Sequence, residues 1–138
     1  MSFTLDPHLE RECFTLGRLP LCHVLLMDNA AIPWLILVPE TDVYELCDLE
    51  PAMHQRLFQE VHLLSRFTRR YFPTDKLNVA AIGNIVRQMH LHVISRRRDD
   101  YCWPGPVWGT TAPSRYDGAQ VETLRLALAS ELAGAGFE

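Results

Sequence analysis

The sequence has no apolar run long enough to cross a membrane, for which about 20 consecutive apolar residues are needed. Residues 1–13 are polar and acidic, and they contain no apolar region of the kind found in signal peptides. We therefore expect a cytoplasmic protein with no membrane partner.

Positive charge is also in short supply. The chain has 13 Lys and Arg residues against 17 Asp and Glu residues, which gives a formal net charge of −4. Binding to a nucleic-acid backbone depends on basic surfaces, so we expect no nucleic-acid partner.

The four cysteines form no C-x-x-C pair, which argues against a disulfide framework and a zinc site. We interpret them as reduced thiols in or near the core, and we predict no metal and no cofactor.

The 138 residues favour a single domain that covers the whole chain, 1–138. A short helical turn is predicted from Asp6-Pro7. The periodicities predict strands at 13–16, 21–27, 34–38, 76–82 and about 88–96, and helices at 49–71 and 114–133. Asp48 is the predicted cap of the first long helix, and Gly134 the predicted stop of the last. Short strands joined by tight turns predict an α+β fold, with about five antiparallel strands, helices packed on one face and the opposite face open.

Polar and apolar residues alternate in residues 88–94, which read Gln-Met-His-Leu-His-Val-Ile. Such alternation is typical of a half-buried strand, on which residues two apart share a face. Gln88, His90 and His92 would then lie on the open face. The two histidines could be exposed strand residues without a function, or two ligands of a metal site that needs further ligands. They could also act in nucleophilic catalysis, with one neutral imidazole attacking phosphorus while a second, protonated imidazole stabilises the charge.

Two further stretches have more than one interpretation. Residues 96–100 can be a solvated strand end with nearly balanced charges, or one arginine there, for which we take Arg96, can anchor a polyphosphate. Residues 103–108, Trp-Pro-Gly-Pro-Val-Trp, predict an ordered loop. Trp103 and Trp108 are expected to pack, although either could cover the site or stack on a base.

The segment 83–94 resembles the signature of the histidine triad (HIT) superfamily, in which Gly-Gln is followed by three residues and three histidines that alternate with apolar residues. Residues 28–39 are similar to the upstream segment of the same family, so the resemblance covers about 14–95. The Trp loop at the start of the C-terminal part, 101–134, is similar to that of a bacterial branch described as diadenosine-polyphosphate-hydrolase-like.

This resemblance implies a nucleotide-binding αβ meander, usually a homodimer, that cleaves the α-phosphate bond of a nucleoside phosphate derivative. It implies that His90 forms a nucleotidyl intermediate and that His92 contacts the phosphate. Asn84, where the family has Gln, would assist at the phosphate, and Asp28 would bind ribose hydroxyls.

The chain departs from the family pattern at two positions. Gln88 stands in place of the first triad histidine, and Trp34 in place of the histidine that follows Pro-Gly. Gln88 cannot titrate, so we expect it to orient His90 or neighbouring backbone. Trp34 either packs or contacts substrate. We predict a hydrolase or nucleotidyl transferase acting on a diadenosine polyphosphate or a nucleoside phosphoramidate. The alternatives are a catalytically weak nucleotide-binding module and a metal-dependent enzyme.

Overall fold

The structure is a computed structural model that describes residues 2–138. Its elements are α1 (Pro7–Glu12), β1 (Cys13–Arg18), β2 (Cys22–Met27), β3 (Trp34–Pro39), α2 (Pro51–Tyr71), β4 (Lys76–Ala80), β5 (Leu91–Arg96) and α3 (Gly118–Leu132). Short 3-10 helices span Leu46–Asp48 and Ala133–Ala135. Among residues 2–138, no helix is both long and apolar enough to cross a membrane.

The five strands form one antiparallel sheet in the order β1-β2-β3-β5-β4. β3 lies in the middle, where all six of its residues are buried, and it pairs with β2 on one side and with β5 on the other. The order of elements matches the sequence-based expectation, and the predicted α+β fold with a five-stranded antiparallel sheet is confirmed.

Each face of the sheet has its own apolar cluster. α2 and α3 cover one face, where Leu57, Leu64 and Leu128 pack against strand residues. The other face was expected to be open, and this was wrong. Leu9 of α1 and Val107 of the Trp loop pack there against residues of β2, β3 and β5. The N-terminal residues and the Trp loop thus cover the face that carries the histidines.

α2 begins later than predicted because of Pro51. A residue that precedes proline is driven out of the helical region, and Glu50 is extended at φ −60° and ψ 147°. The helix therefore starts at Pro51 with Glu50 as its N-cap. Asp48 belongs to the preceding 3-10 helix and is not the cap.

α3 is shorter at its start than predicted, because Asp117 and Gln120 form a capping box that begins the helix at Gly118. Its predicted stripe of Val121, Leu124, Leu128 and Leu132 is buried. The chain leaves the helical conformation at Gly136, with φ 90°, and not at Gly134.

Glu60 of α2 is fully buried and joins the helix to the turn between β1 and β2. Its carboxylate accepts hydrogen bonds from the backbone amides of Leu21 and Cys22 at 3.0 and 2.9 Å. Arg56, one helical turn earlier, forms an ion pair with the same carboxylate at 2.7 Å. All of these partners compensate the desolvation of the buried charge.

Candidate active site

The two histidines lie together although they do not share a strand. β5 begins only at Leu91, so His92 is a strand residue opposite Ile36, whereas His90 precedes the strand. Their ring centroids are 4.9 Å apart and the rings are nearly perpendicular. Both residues are buried, with 7% and 4% of their surface exposed. The prediction that they are neighbours holds, but the strand was predicted to begin too early.

A backbone carbonyl determines which nitrogen of His90 carries the proton. Nδ1 lies 2.6 Å from the carbonyl oxygen of Gln88. A carbonyl oxygen can only accept, so Nδ1 must donate, and in the neutral ring this leaves the lone pair on Nε2. His90 therefore has the tautomer that nucleophilic attack through Nε2 requires.

His92 has the opposite arrangement. The indole Nε1–H of Trp34 donates to Nδ1 of His92 at 2.9 Å, so the proton of the neutral ring is on Nε2. Burial, and to a smaller extent the neighbouring His90, lowers the pKa of His92 to about 3. His92 is therefore neutral near pH 7. The expected protonated second imidazole is not supported, and His92 instead offers a neutral N–H donor.

Trp108 completes an aromatic cluster around His92. Its ring meets His92 at 5.1 Å and Trp34 at 5.8 Å, edge-on in both cases. Edge-on contacts of this kind are favourable and hold the rings in fixed orientations. The cluster fixes the His92 ring in position as well as in tautomer.

These side chains line a cavity of about 710 Å³, which is the size of a small-molecule binding site. The cavity brings together six residues that the sequence analysis named: Asp28, Trp34, Asn84, His90, His92 and Trp108. Apolar side chains, among them Leu9, Met27 and Val107, supply much of the remaining wall.

The HIT domain family matches residues 8–99 of the chain. The chain belongs to the HIT family. Members of this family are typically nucleotide hydrolases or transferases. No curated protein matches the chain.

Solved structures of HIT proteins are similar over nearly the whole chain. A histidine triad protein from Marinobacter aquaeolei has 40% sequence identity and a TM-score of 0.91, with 97% of this chain and 98% of that chain covered. A histidine triad (HIT) protein from Sinorhizobium meliloti has 39% identity and a TM-score of 0.90, covering 95% and 98%. A histidine triad protein from Bradyrhizobium japonicum has 38% identity and a TM-score of 0.89, also covering 95% and 98%.

Asp28, the predicted ribose ligand of this HIT protein, lies at the cavity but already has two partners. Its carboxylate accepts a hydrogen bond from the backbone amide of Tyr116 at 2.9 Å and pairs with Arg115 at 3.2 Å. Arg115 also lines the cavity and is highly exposed, so this ion pair is open to solvent. Asp28 therefore also holds the segment before α3 against the site.

Arg96 does not lie at the HIT site, and its predicted role as a phosphate anchor is corrected. The residue is 1% exposed and is absent from the cavity wall. Its guanidinium pairs with Asp100 and also donates to Asn78 and to the carbonyl of Gly105. These partners occupy the donors that a phosphate would need, and Arg96 joins β5 to β4 and the Trp loop.

Gln88 also differs from its expected placement on the histidine face. Its side chain lines no part of the cavity and instead bonds to the backbone of Thr4 and Asp6. Gln88 contacts His90 only through its backbone carbonyl. The Gln88 side chain was expected to orient His90 or neighbouring backbone, but it binds backbone far away in sequence, and His90 is held by the main-chain carbonyl of Gln88.

Several residues of the cavity wall were missed by sequence reasoning. Leu9, Arg11 and Glu12 come from α1, and Arg115 comes from the segment before α3. They are far in sequence from the signature, and no local pattern connects them to it. The sequence alone contains no signal that would have identified them.

The cysteines and candidate metal ligands give no second site. All four cysteines are free, and Cys47 is the exposed one. Burial raises the pKa of the Cys13 thiol to about 12, which makes it a poor nucleophile. Within residues 2–138, no three His, Cys, Asp or Glu side chains are grouped so that they could hold a metal ion.

Proposed function

We propose that this HIT-family chain cleaves the α-phosphate bond of a nucleotide through a nucleotidyl intermediate on His90. One observation carries the proposal. His90 lines the large cavity with its Nδ1 proton bound to the carbonyl of Gln88, so that Nε2 has a free lone pair.

In the first step, the lone pair on Nε2 of His90 attacks the α-phosphorus and forms a P–N bond. The bond from phosphorus to the leaving oxygen or nitrogen breaks, and the leaving group takes the electron pair. In the second step, water attacks the phosphorus and loses a proton to solvent. The P–N bond breaks, its electron pair returns to Nε2, and a nucleoside monophosphate is released. The ring of the intermediate is positively charged, and the carbonyl of Gln88 stabilises it through Nδ1–H.

His92 acts in this proposal as a donor and not as an acid. Its Nε2–H is available for a non-bridging phosphate oxygen because Nδ1 is bound to Trp34. Asn84 lines the same cavity and can donate a further hydrogen bond through its amide. These neutral donors stabilise the transition-state charge by hydrogen bonding, and the leaving group takes its proton from water.

For the substrate, we propose a diadenosine polyphosphate or a nucleoside phosphoramidate. The Trp loop, which resembles that of the diadenosine-polyphosphate-hydrolase-like branch, lies at the site through Val107 and Trp108. The apolar part of the cavity wall suits a nucleobase, and the aromatic ring of Trp108 is part of that wall. Asp28 would bind the ribose, sharing its carboxylate with the Tyr116 amide.

The test is rapid-quench mass spectrometry of the protein mixed with diadenosine polyphosphate or adenosine phosphoramidate. The wild type should gain the mass of one nucleotidyl group, and turnover should follow. His90→Ala should show neither the adduct nor turnover, whereas His54→Gln, an exposed change on α2, should behave like the wild type. Equal turnover by wild type and His90→Ala would overturn the mechanism.

The second candidate is a nucleotide-binding module with weak catalysis. The neutral state of His92 favours it, because a site without a protonated imidazole lacks an acid for the leaving group. This candidate predicts binding of AMP by calorimetry without efficient turnover of any substrate in a nucleotide panel. Efficient turnover of one of these substrates would exclude it.

We also propose that the protein is a homodimer, as the family resemblance implies. The sheet ends at β4, and the neighbouring Val79, Ile82 and Ile85 are 45%, 44% and 86% exposed. An unpaired strand edge beside exposed apolar residues suits pairing with a second copy. Sedimentation equilibrium tests this proposal, and a single monomeric species at micromolar concentration would contradict it.

A further inference from the structure

The side-chain amide of Gln88 binds the N-terminal segment, residues 2–12, at two backbone positions. Its Oε1 accepts from the amide of Asp6 at 2.9 Å, and its Nε2 donates to the carbonyl of Thr4 at 2.9 Å. In an extended chain, the carbonyl of one residue and the amide two residues later lie on the same side. The side-chain amide of Gln88 can therefore make the two hydrogen bonds that a neighbouring strand would make with residues 4 and 6.

The segment is fixed at a second point and continues directly into the cavity wall. The ring of Phe3 stacks on His23 of β2, with centroids 4.5 Å apart and planes within 10°. Asp6 is the N-cap of α1, which carries Leu9 into the core and brings Arg11 to the cavity. The placement of this wall depends on how residues 4–6 are held.

Gln88 also holds the proposed nucleophile. Its carbonyl accepts from Nδ1 of His90, so one residue bonds to the N-terminal segment through its side chain and to His90 through its backbone. A displacement of residues 4–6 would pull on the same residue that orients the imidazole. The N-terminal segment and the imidazole of His90 are thus connected through one residue, Gln88.

We propose that Gln88 is a positioning residue whose side-chain amide holds the N-terminal segment against the active site; we call this pair of hydrogen bonds the clasp. The position of the segment then determines both one wall of the cavity and the orientation of His90. The catalytic part of this inference rests on the proposed function, whereas the clasp itself does not. An amide suits the task because it presents a donor and an acceptor at every pH.

The decisive variant is Gln88→Glu, which keeps the shape and the backbone carbonyl but replaces the donor with an acceptor. At pH 8 its carboxylate would face the carbonyl of Thr4, and the clasp would open. Protonation would restore a donor at low pH. The ionisable groups around the adjoining cavity are the carboxylates of Asp6, Glu40 and Asp42, the phenol of Tyr44 and the guanidinium of Arg87. His23, which faces Phe3, bonds to Glu40 through Nε2.

Hydrogen exchange measures the clasp without requiring activity. In Gln88→Glu at pH 8, a carboxylate oxygen can still accept from the Asp6 amide, but its repulsion by the Thr4 carbonyl should displace the segment. The Asp6 amide should then exchange at least about tenfold faster than in the wild type at the same pH. The ratio between variant and wild type should fall towards one below about pH 4, where the new carboxyl is protonated. The matched control is Arg87→Ala, the adjacent residue, whose side chain lies over the ring of Tyr44 at 4.1 Å. It should leave the Asp6 amide protected.

Activity gives the second readout. Single-turnover nucleotidylation by Gln88→Glu should slow by at least about tenfold at pH 8, and recover relative to wild type below about pH 4. Unchanged Asp6 protection in Gln88→Glu at pH 8, or equal loss in Arg87→Ala, would overturn the clasp. Opening of the segment with an unchanged single-turnover rate would overturn its link to His90. A wild type without turnover, combined with pH-dependent opening, would reject the proposed function and leave the clasp standing.

Discussion

Trp34 donates its indole N–H to Nδ1 of His92 over 2.9 Å, and this bond leaves the proton of His92 on Nε2. Trp34 is the residue where the family pattern led us to expect a histidine. The indole is a donor at every pH, so it fixes one tautomer of its neighbour without titrating. In the sequence, Trp34 looks like the loss of a family histidine. In the structure, Trp34 orients the imidazole of His92.

Replacing Trp34 with Phe should release the tautomer of His92. The variant keeps an aromatic ring but leaves Nδ1 without its donor, which costs about 1–3 kcal/mol of stability for a buried acceptor. The long-range ¹⁵N couplings of the His92 ring should change from the Nε2–H pattern to a mixture. Trp103→Phe removes an indole that lies over Arg96 at 5.6 Å and should leave the His92 spectrum as in the wild type. An unchanged spectrum in Trp34→Phe would contradict the assignment.

The pH dependence of stability should report the burial of His92. Its pKa is 6.5 in the unfolded chain and about 3 in the folded protein. Between these values the unfolded state binds a proton that the folded state does not, so acidification through this window destabilises the fold. The loss should reach about 1.4 kcal/mol per pH unit, and above pH 6.5 it should vanish.

Urea unfolding from pH 7 to pH 4 measures this slope. His92→Gln should reduce the slope of unfolding free energy against pH by the contribution of one bound proton. The exposed change His54→Gln is the matched histidine control. Equal slopes in His92→Gln and in the wild type would mean that the folded His92 titrates in its ordinary range.

Arg96 should prove to be a structural residue. Arg96→Met leaves Asp100, whose side chain is 4% exposed, as a buried charge without its partner. The expected loss is about 3–5 kcal/mol in the free energy of unfolding. Arg97→Met is the control, because its pair with Asp99 is exposed at 48% and 72%, so solvent screens it and its loss should change stability little. If Arg96→Met were as stable as the wild type but bound nucleotide weakly, the phosphate-anchor interpretation would be restored.

Gly17 should tolerate no side chain. It lies at an irregularity in the pairing of β1 with β2, and a Cβ there would come within 2.5 Å of the Phe137 ring and 2.6 Å of the Glu138 carbonyl. Gly17→Ala should destabilise the protein by about 1–3 kcal/mol through overpacking. Gly134→Ala meets no atom within 4 Å and should be neutral or slightly stabilising. Thermal unfolding of the two variants side by side checks the difference.

Local patterns predicted the elements well, because each depends on neighbours in sequence. The stripe of α3 identified the side chains that face the core, and the alternation around His92 identified a strand, although all six residues of β5 are buried. Errors arose where distant groups decide the outcome. The side chain of Gln88 binds the backbone of Thr4 and Asp6, and Arg96 donates to Asn78 in β4 and to Gly105 in the Trp loop. None of these contacts produces a periodic pattern of residues in the sequence.

The buried carboxylate of Glu60 has a consequence for how the chain folds. The amides of Leu21 and Cys22, at the turn between β1 and β2, find their acceptor on α2 and not within the hairpin. In the folded protein these two amides are satisfied by α2 and not by the hairpin, so we expect hairpin and helix to behave as one cooperative unit. The exchange of these two amides therefore reports the detachment of α2 from the sheet.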